Sequence, residues 1–177
     1  AFLLIFYTDV MGLAAAAVGT MMLVTKVVDA ITDPLMGALA DRTRSRFGRF
    51  RPYLLYGALP LALTGVLTWT VPDLGDGGKL VWAYATFTLM MLAYTVLSIP
   101  YSALSGVITA DSQQRTQLIS FRFIAAFAGT MAVNWLTMDL VRWLGRGDEA
   151  LGWQLTLSLY GVVAAAAFVT VFLTTRE

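Results

Sequence analysis

The chain of 177 residues is 58% hydrophobic and 13% charged, with a mean hydropathy of +0.72; soluble domains carry about a quarter charged residues, which argues against a water-soluble fold. It holds no cysteine and no histidine, so a disulfide framework, a thiolate metal site and an imidazole proton relay are excluded. The formal net charge of +1 says little, because in a bilayer protein the position of each charge decides its effect.

A hydrocarbon core of about 30 Å takes roughly twenty residues at about 1.5 Å each. The first apolar segment, about residues 1–9, is too short for that and reads as a spanning helix whose beginning lies upstream. It has neither the basic n-region nor the small-residue cleavage site of a signal peptide. After a turn at Asp9 to Gly12, residues 13–40 form a second helix, long enough to span with tilt. It runs into the basic stretch Asp41-Arg-Thr-Arg-Ser-Arg-Phe-Gly-Arg-Phe-Arg-Pro52. Residues 53–71 make a third helix, closed by Pro72 and an acidic, glycine-rich loop of Asp73, Gly75, Asp76, Gly77 and Gly78. Residues 80–104 make a fourth, with Pro100 near its far end, where neighbouring helices satisfy the freed carbonyl. A polar turn, Asp111-Ser-Gln-Gln-Arg115, precedes a fifth helix at 118–143, and Gly145-Arg-Gly-Asp-Glu149 precedes a sixth at 153–174. The expected fold class is all-α and polytopic. Alanine runs at 14–17 and 164–167 read as sites of close helix packing.

Arg42, Arg44, Arg46, Arg49 and Arg51 crowd one loop, with Arg115 and Arg176 on the same side. Asp73, Asp76, Asp148 and Glu149 lie opposite; Lys79, Arg142 and Arg146 are exceptions to the pattern. By the positive-inside rule the loop 42–51 and the C-terminal Arg176-Glu177 are cytoplasmic, and the Asp9 turn faces outward.

Two carboxylates lie where lipid should be. Counting back from Asp41, Asp33 is about 12 Å and Asp29 about 18 Å into the bilayer, and a spacing of four stacks them on one helical face. An unpaired carboxylate at mid-depth costs at least about 2.5 to 3.5 kcal/mol, and two at close range also repel each other. A desolvated cation among oxygen ligands relieves this, as does a shared proton. Lys26, three residues before Asp29, is a possible internal partner, and a purely structural Lys26-Asp29 ion pair leaves Asp33 unexplained. Asp33 directly precedes Pro34, whose missing N–H loosens the backbone. Arg122 is the other intramembrane charge; it pairs with a carboxylate or offers its fork of donors to a ligand's oxygens. Asp139 and Arg142, three apart near the outer end of the fifth helix, read as an interfacial pair. Tyr94, Thr95, Ser98, Tyr101 and Ser102 cluster on the fourth helix, where Thr95, Ser98 and Ser102 share a face that either lines a solute path or bonds neighbouring helices.

With these residues placed, three stretches carry a resemblance: Tyr7-Thr-Asp-Val-Met-Gly12, Asp29-Ala-Ile-Thr-Asp-Pro-Leu-Met-Gly37 and Asp41-Arg-Thr-Arg-Ser-Arg-Phe-Gly48. Ile99-Pro-Tyr101, Asp111 with Arg115, Ser120-Phe-Arg122 and the segment 145–154 extend it over nearly the whole chain. The sequence resembles the glycoside-pentoside-hexuronide cation symporters, the melibiose permease-like family of the major facilitator superfamily. The resemblance implies twelve helices in two six-helix halves around a cavity with alternating access. This chain is similar to the first half, a six-helix half-bundle with a truncated first helix, to be completed by a C-terminal six-helix half.

The same resemblance assigns residues. Asp29, Asp33 and Thr95, with Thr32 beside them, match the cation site, which would hold Na+ if sodium couples. Thr32 stands where the melibiose permease has asparagine, which leaves Na+ and H+ both open as the coupling cation. Arg122 matches a sugar-lining arginine; Ser98 and Ser102 replace a sugar-binding aspartate and a stacking tryptophan of that permease. Tyr94, Tyr101 and Lys26 complete the expected solute site. Gly37, Asp41, Arg42, Arg46 and Arg115 match a cytoplasmic gate closed by charge pairs. The implied function is cation-coupled symport of a sugar or glycoside in a bacterial plasma (inner) membrane, with the lipid bilayer as surroundings, no enzymatic activity, no cofactor and no nucleic-acid partner. A sodium-dependent lipid or lysolipid carrier is the alternative within transport; a membrane enzyme or a non-transporting membrane protein is the remote one.

Overall fold

The computed structural model describes residues 2–109 and 111–175, so the expectation for Arg176 and Glu177 lies outside the described residues. Six helical segments follow one another: α1 (Phe2–Ile5), continued without a break by a π-helical turn at Phe6–Val10, then α2 (Ala15–Arg42), α3 (Arg51–Thr68), α4 (Asp76–Val107), α5 (Ser112–Gly145) and α6 (Glu149–Thr174). No strand occurs among the described residues. The fold is the expected all-α bundle.

By length and composition α2, α4, α5 and α6 are able to cross a membrane. The 18 residues of α3 include Arg51, two prolines and two tyrosines, and it is the shortest of the long helices. It ends at Thr68 rather than at residue 71, because Trp69 leaves helical geometry and stacks on Trp153, with ring centroids 5.6 Å apart and planes 12° apart.

Two loops expected from the sequence are in fact helix. Asp76, Gly77 and Gly78 form the first turn of α4, and Ser112 to Arg115 the first turn of α5, where the Asp111 carboxylate accepts from the Gln113 N–H at 2.8 Å and caps the helix. With 32 and 34 residues, these helices run about 48 and 51 Å, well past a hydrocarbon core of about 30 Å. Their polar first turns stand outside the apolar slab, which is why hydropathy places the starts too late. Asp148 caps α6 in the same way, accepting from the Leu151 N–H at 3.0 Å, and so moves that start forward to Glu149.

Helix α4 is central: α3 and α2 pack on it, while α6 packs on α3 and α5. An outer core gathers Phe6, Tyr7, Trp69, Phe87, Val141 and Trp153; an inner one gathers Met36, Phe50, Leu54, Leu97, Leu104 and Phe172. Two close helix approaches depend on glycine. A Cβ on Gly152 of α6 would strike the Val141 carbonyl oxygen of α5, and one on Gly57 of α3 would lie 2.9 Å from Leu97 Cγ of α4. In the alanine runs residues 14–16, 166 and 167 are exposed, while Ala17, Ala164 and Ala165 are half-buried and the Ala17 carbonyl accepts from the Tyr84 hydroxyl of α4 at 3.4 Å. Leu23, Val27, Ile31, Leu35 and Leu39 recur every four residues on α2 and are all exposed, an apolar stripe of the kind that a bilayer or another membrane helix covers.

Candidate functional site

The site forms where α2 meets α4. Asp29 and Asp33 lie on the face of α2 that packs against α4, and Pro34 frees the carbonyl of Ala30 on the turn between them. Asp33 Oδ1 accepts a hydrogen bond from Thr95 Oγ1 of α4 at 2.9 Å. Thr95 is 4% exposed and Asp33 half-buried, so this bond is partly shielded from solvent. Asp29 is also buried; its Oδ2 lies 3.1 Å from Lys26 Nζ, while its Oδ1 is buried without a hydrogen-bond partner. A buried acceptor left in this state costs about 1 to 3 kcal/mol, more when charged.

A cavity of about 110 Å³ opens at this point, lined by Lys26, Asp29, Asp33, Tyr94, Thr95 and Ser98, with Met91 and Ile99 as its apolar wall. Its polar atoms are carboxylate and hydroxyl oxygens plus one ammonium, the donor set suited to a hard monovalent cation or to a proton shared between carboxylates. Met91, Thr95 and Ser98 fall at intervals of four and three on α4 and so share its cavity face. The sequence reading missed Met91 and Ile99, yet the spacing from Thr95 points to Met91 once that face is fixed.

Arg122 stands apart from the cavity. Its Nη2 donates to Ser102 Oγ at 3.1 Å and its guanidinium carbon lies 4.6 Å from the centroid of the Tyr101 ring, a cation–π contact. With Leu104, Ser105, Leu118 and Val171, Tyr101 and Arg122 line a second cavity of about 170 Å³ between α4, α5 and α6. Thr95 and Ser102 are seven residues apart, about 10 Å along the helix, with Ser98 between them. The expected solute residues are therefore divided: Lys26, Tyr94 and Ser98 border the carboxylate cavity, whereas Tyr101, Ser102 and Arg122 form a separate group. Thr32 lines neither; its hydroxyl reaches back to the Asp29 carbonyl at 3.5 Å.

At the expected cytoplasmic end, Asp41, Arg42 and Arg46 are all exposed and Asp41 forms no ion pair with either arginine; Arg46 instead lies over the Phe47 ring at 4.5 Å. Arg115 Nη2 donates to the carbonyls of Gly106 and Thr109 at 3.3 and 3.1 Å, closing the C-terminal end of α4. Gly37 faces Ile99 across the α2–α4 contact, with room for a Cβ 3.8 Å from Ile99 Cγ2. Arg51, which sequence reasoning treated as topogenic charge alone, donates to the Phe172 carbonyl at the end of α6 and lies 4.7 Å from the Phe172 ring centroid. Asp139 and Arg142 are exposed and form no ion pair with each other, because both are free to remain hydrated at the helix end.

A bundle of long apolar helices, two of which enclose paired carboxylates, is an integral, multi-pass membrane protein. The whole chain, residues 1–177, matches the family described as MFS/sugar transport protein, and it belongs to that family. It is 49% identical over 176 residues to the inner membrane symporter YicJ of Escherichia coli (strain K12), covering 99% of this chain and 38% of that protein. It is 46% identical over 172 residues to the putative glycoside/cation symporter YagG of the same organism, covering 97% of this chain and 37% of the relative. The isoprimeverose transporter of Lactiplantibacillus pentosus is 36% identical over 178 residues, 99% of this chain and 37% of that transporter. The resemblance to glycoside-cation symporters read from the motifs is borne out, and the chain spans less than two fifths of the length of these relatives.

Proposed function

We propose that this chain is the N-terminal half of a symporter that couples the entry of a monovalent cation, Na+ or H+, to that of a glycoside across a bacterial inner membrane. The observation that carries the reading is the unpartnered, buried Asp29 oxygen in the same cavity as Asp33 and the Thr95 hydroxyl, on two helices that are not consecutive in the chain. A cation bound by Asp29, Asp33 and Thr95 offsets the repulsion of the carboxylates and draws α2 against α4. Ser98 and Ser102 carry that change along α4 to Arg122, where the guanidinium and the Tyr101 ring offer donors and a stacking face to a sugar. Linkage then requires that the solute raise cation affinity by the same factor that the cation raises solute affinity. Asp41, Arg42, Arg46 and Arg115 would work as a cytoplasmic gate with groups outside this chain, since Asp41 pairs with neither neighbouring arginine here.

A second reading, a sodium-dependent lysolipid carrier, has one observation in its favour: an apolar cleft of about 710 Å³ along α4, lined by Leu80, Val81, Tyr84, Ala85, Thr88 and Leu89. Uptake by the full-length protein in proteoliposomes separates the two. The panel is pentosides, hexosides, hexuronides and a lysophospholipid, each with an inward Na+ gradient, an inward H+ gradient or none. Gradient-dependent uptake of a glycoside is expected. Gradient-dependent uptake of the lysolipid alone would replace the first reading with the second, and no gradient-dependent uptake of any solute would overturn both.

A further inference from the structure

Lys26 was expected to touch the solute, but its surroundings assign it a different task. Its ammonium lies 3.1 Å from Asp29 Oδ2, one turn away on the same helix, and its side chain is 74% exposed against 12% for that of Asp29. No other hydrogen bond holds it among the described residues. The lysine thus approaches from the open side of the cavity on a flexible four-carbon stem, as a point charge rather than a planar fork. It takes one carboxylate oxygen and leaves the other, buried Oδ1 without a partner.

The charge within the cavity follows from its lining. Lys26, Asp29 and Asp33 are the charged residues there, and they leave a net charge of −1. Two carboxylates and a hydroxyl without the lysine would be a −2 oxygen site, and oxygen sites with two carboxylates suit hard divalent cations. We propose, resting on the cation reading of this cavity, that Lys26 is a specificity determinant. It is a tethered counter-cation that fixes the cavity at a single negative charge, so that one monovalent cation completes it and Ca2+ or Mg2+ is refused. Its like charge also weakens binding of the monovalent ion, which keeps that ion able to leave on the inner side. A site that held its cation too tightly would bind but not turn over.

The test is titration of the purified full-length protein with NaCl, and separately with CaCl2, by calorimetry and by cation-dependent shift of thermal unfolding. Wild type, Lys26→Gln and Lys26→Arg are compared. The expected result is Na+ binding to wild type without competition from Ca2+. Lys26→Gln should bind Na+ about tenfold tighter, as loss of a nearby like charge predicts, and should bind Ca2+ competitively with Na+. Lys26→Arg, which keeps the charge, should resemble wild type. In uptake assays Lys26→Gln should lower the Na+ concentration for half-maximal rate while leaving the KM for the solute at saturating Na+ unchanged, a split that a structural role for the ion pair would not produce. An unchanged or weaker Na+ affinity in Lys26→Gln, or a variant that still refuses Ca2+, overturns the proposal while leaving the cation site intact. A wild type to which Na+ does not bind overturns the role given to Lys26, and if an inward H+ gradient also fails to drive uptake, the cation site falls with it.

Discussion

Thr95→Val is the sharpest probe of the α2–α4 site, because valine keeps the shape of threonine and removes only the hydroxyl. That hydroxyl donates to Asp33 Oδ1 at 2.9 Å and is buried. Two magnitudes compete. Hydrogen bonds between membrane helices average about 0.6 kcal/mol, a factor of about three in an equilibrium constant, because the separated helices find other partners. Hydrogen bonds to charged acceptors are worth about 1.5 to 3 kcal/mol. The second range governs here, since the acceptor is a carboxylate with no competing donor and the lost oxygen is also one of the few ligands available to a cation. At about 1.4 kcal/mol per factor of ten, Thr95→Val should weaken apparent cation affinity by roughly 10- to 150-fold. The assay is the cation concentration that gives half-maximal uptake in proteoliposomes, read beside the unfolding temperature in detergent; Thr95→Ser, which keeps the hydroxyl, is the control. A half-maximal concentration that is the same in Thr95→Val and wild type would refute the claim that this contact belongs to the cation site.

Three further outcomes are expected. Asp33→Asn should reduce gradient-driven uptake to the level seen without a gradient while leaving the yield of folded protein unchanged, measured by uptake and size-exclusion profile. Gly152→Ala places a methyl group against the Val141 carbonyl of α5, backbone that cannot rotate away, and should destabilise the bundle by about 1 to 3 kcal/mol, measured as a lower unfolding temperature in detergent. Arg51→Gln removes both the guanidinium over the Phe172 ring and the donor to its carbonyl; protease cleavage near the end of α6 should become faster while uptake changes little.

The elements legible in the sequence are those whose signal is hydrophobic length. The cores of α2, α4, α5 and α6 fall where the apolar runs fall, because bilayer thickness and helical rise leave no other way to bury them. Boundaries were less legible: α4, α5 and α6 begin earlier than hydropathy suggests, whereas α3 stops short of residue 71. Hydropathy responds to the hydrocarbon, whereas a helix ends where its caps are, at Asp111 and Asp148. Close helix contacts were only partly legible. A run such as residues 14–17 looks permissive of close approach, but alanine still carries a Cβ, and the close contacts at Gly57 and Gly152 need glycine.

The functional site divides along the same line between local and long-range information. Asp29, Asp33 and Lys26 were legible because a charge in an apolar run is costly wherever the helix points, and because a spacing of three or four fixes a common face. Their meeting with Thr95 crosses from α2 to α4, and no spacing within one helix could supply it; the motif resemblance did. The position of Arg122 was not supplied by either. Its charge implied a place in the interior, but its partners are Ser102 and Tyr101 of α4, about two helical turns from Thr95, not the carboxylates. Had Arg122 paired with Asp29 or Asp33, cation and arginine would compete for one anion, and binding either would expel the other. Separation along α4 removes that competition and leaves the helix itself as the connection. On the proposed reading, a cation that fixes the Thr95 end of α4 biases the Ser102 end, where the arginine is held by a neutral hydroxyl that a solute oxygen would replace.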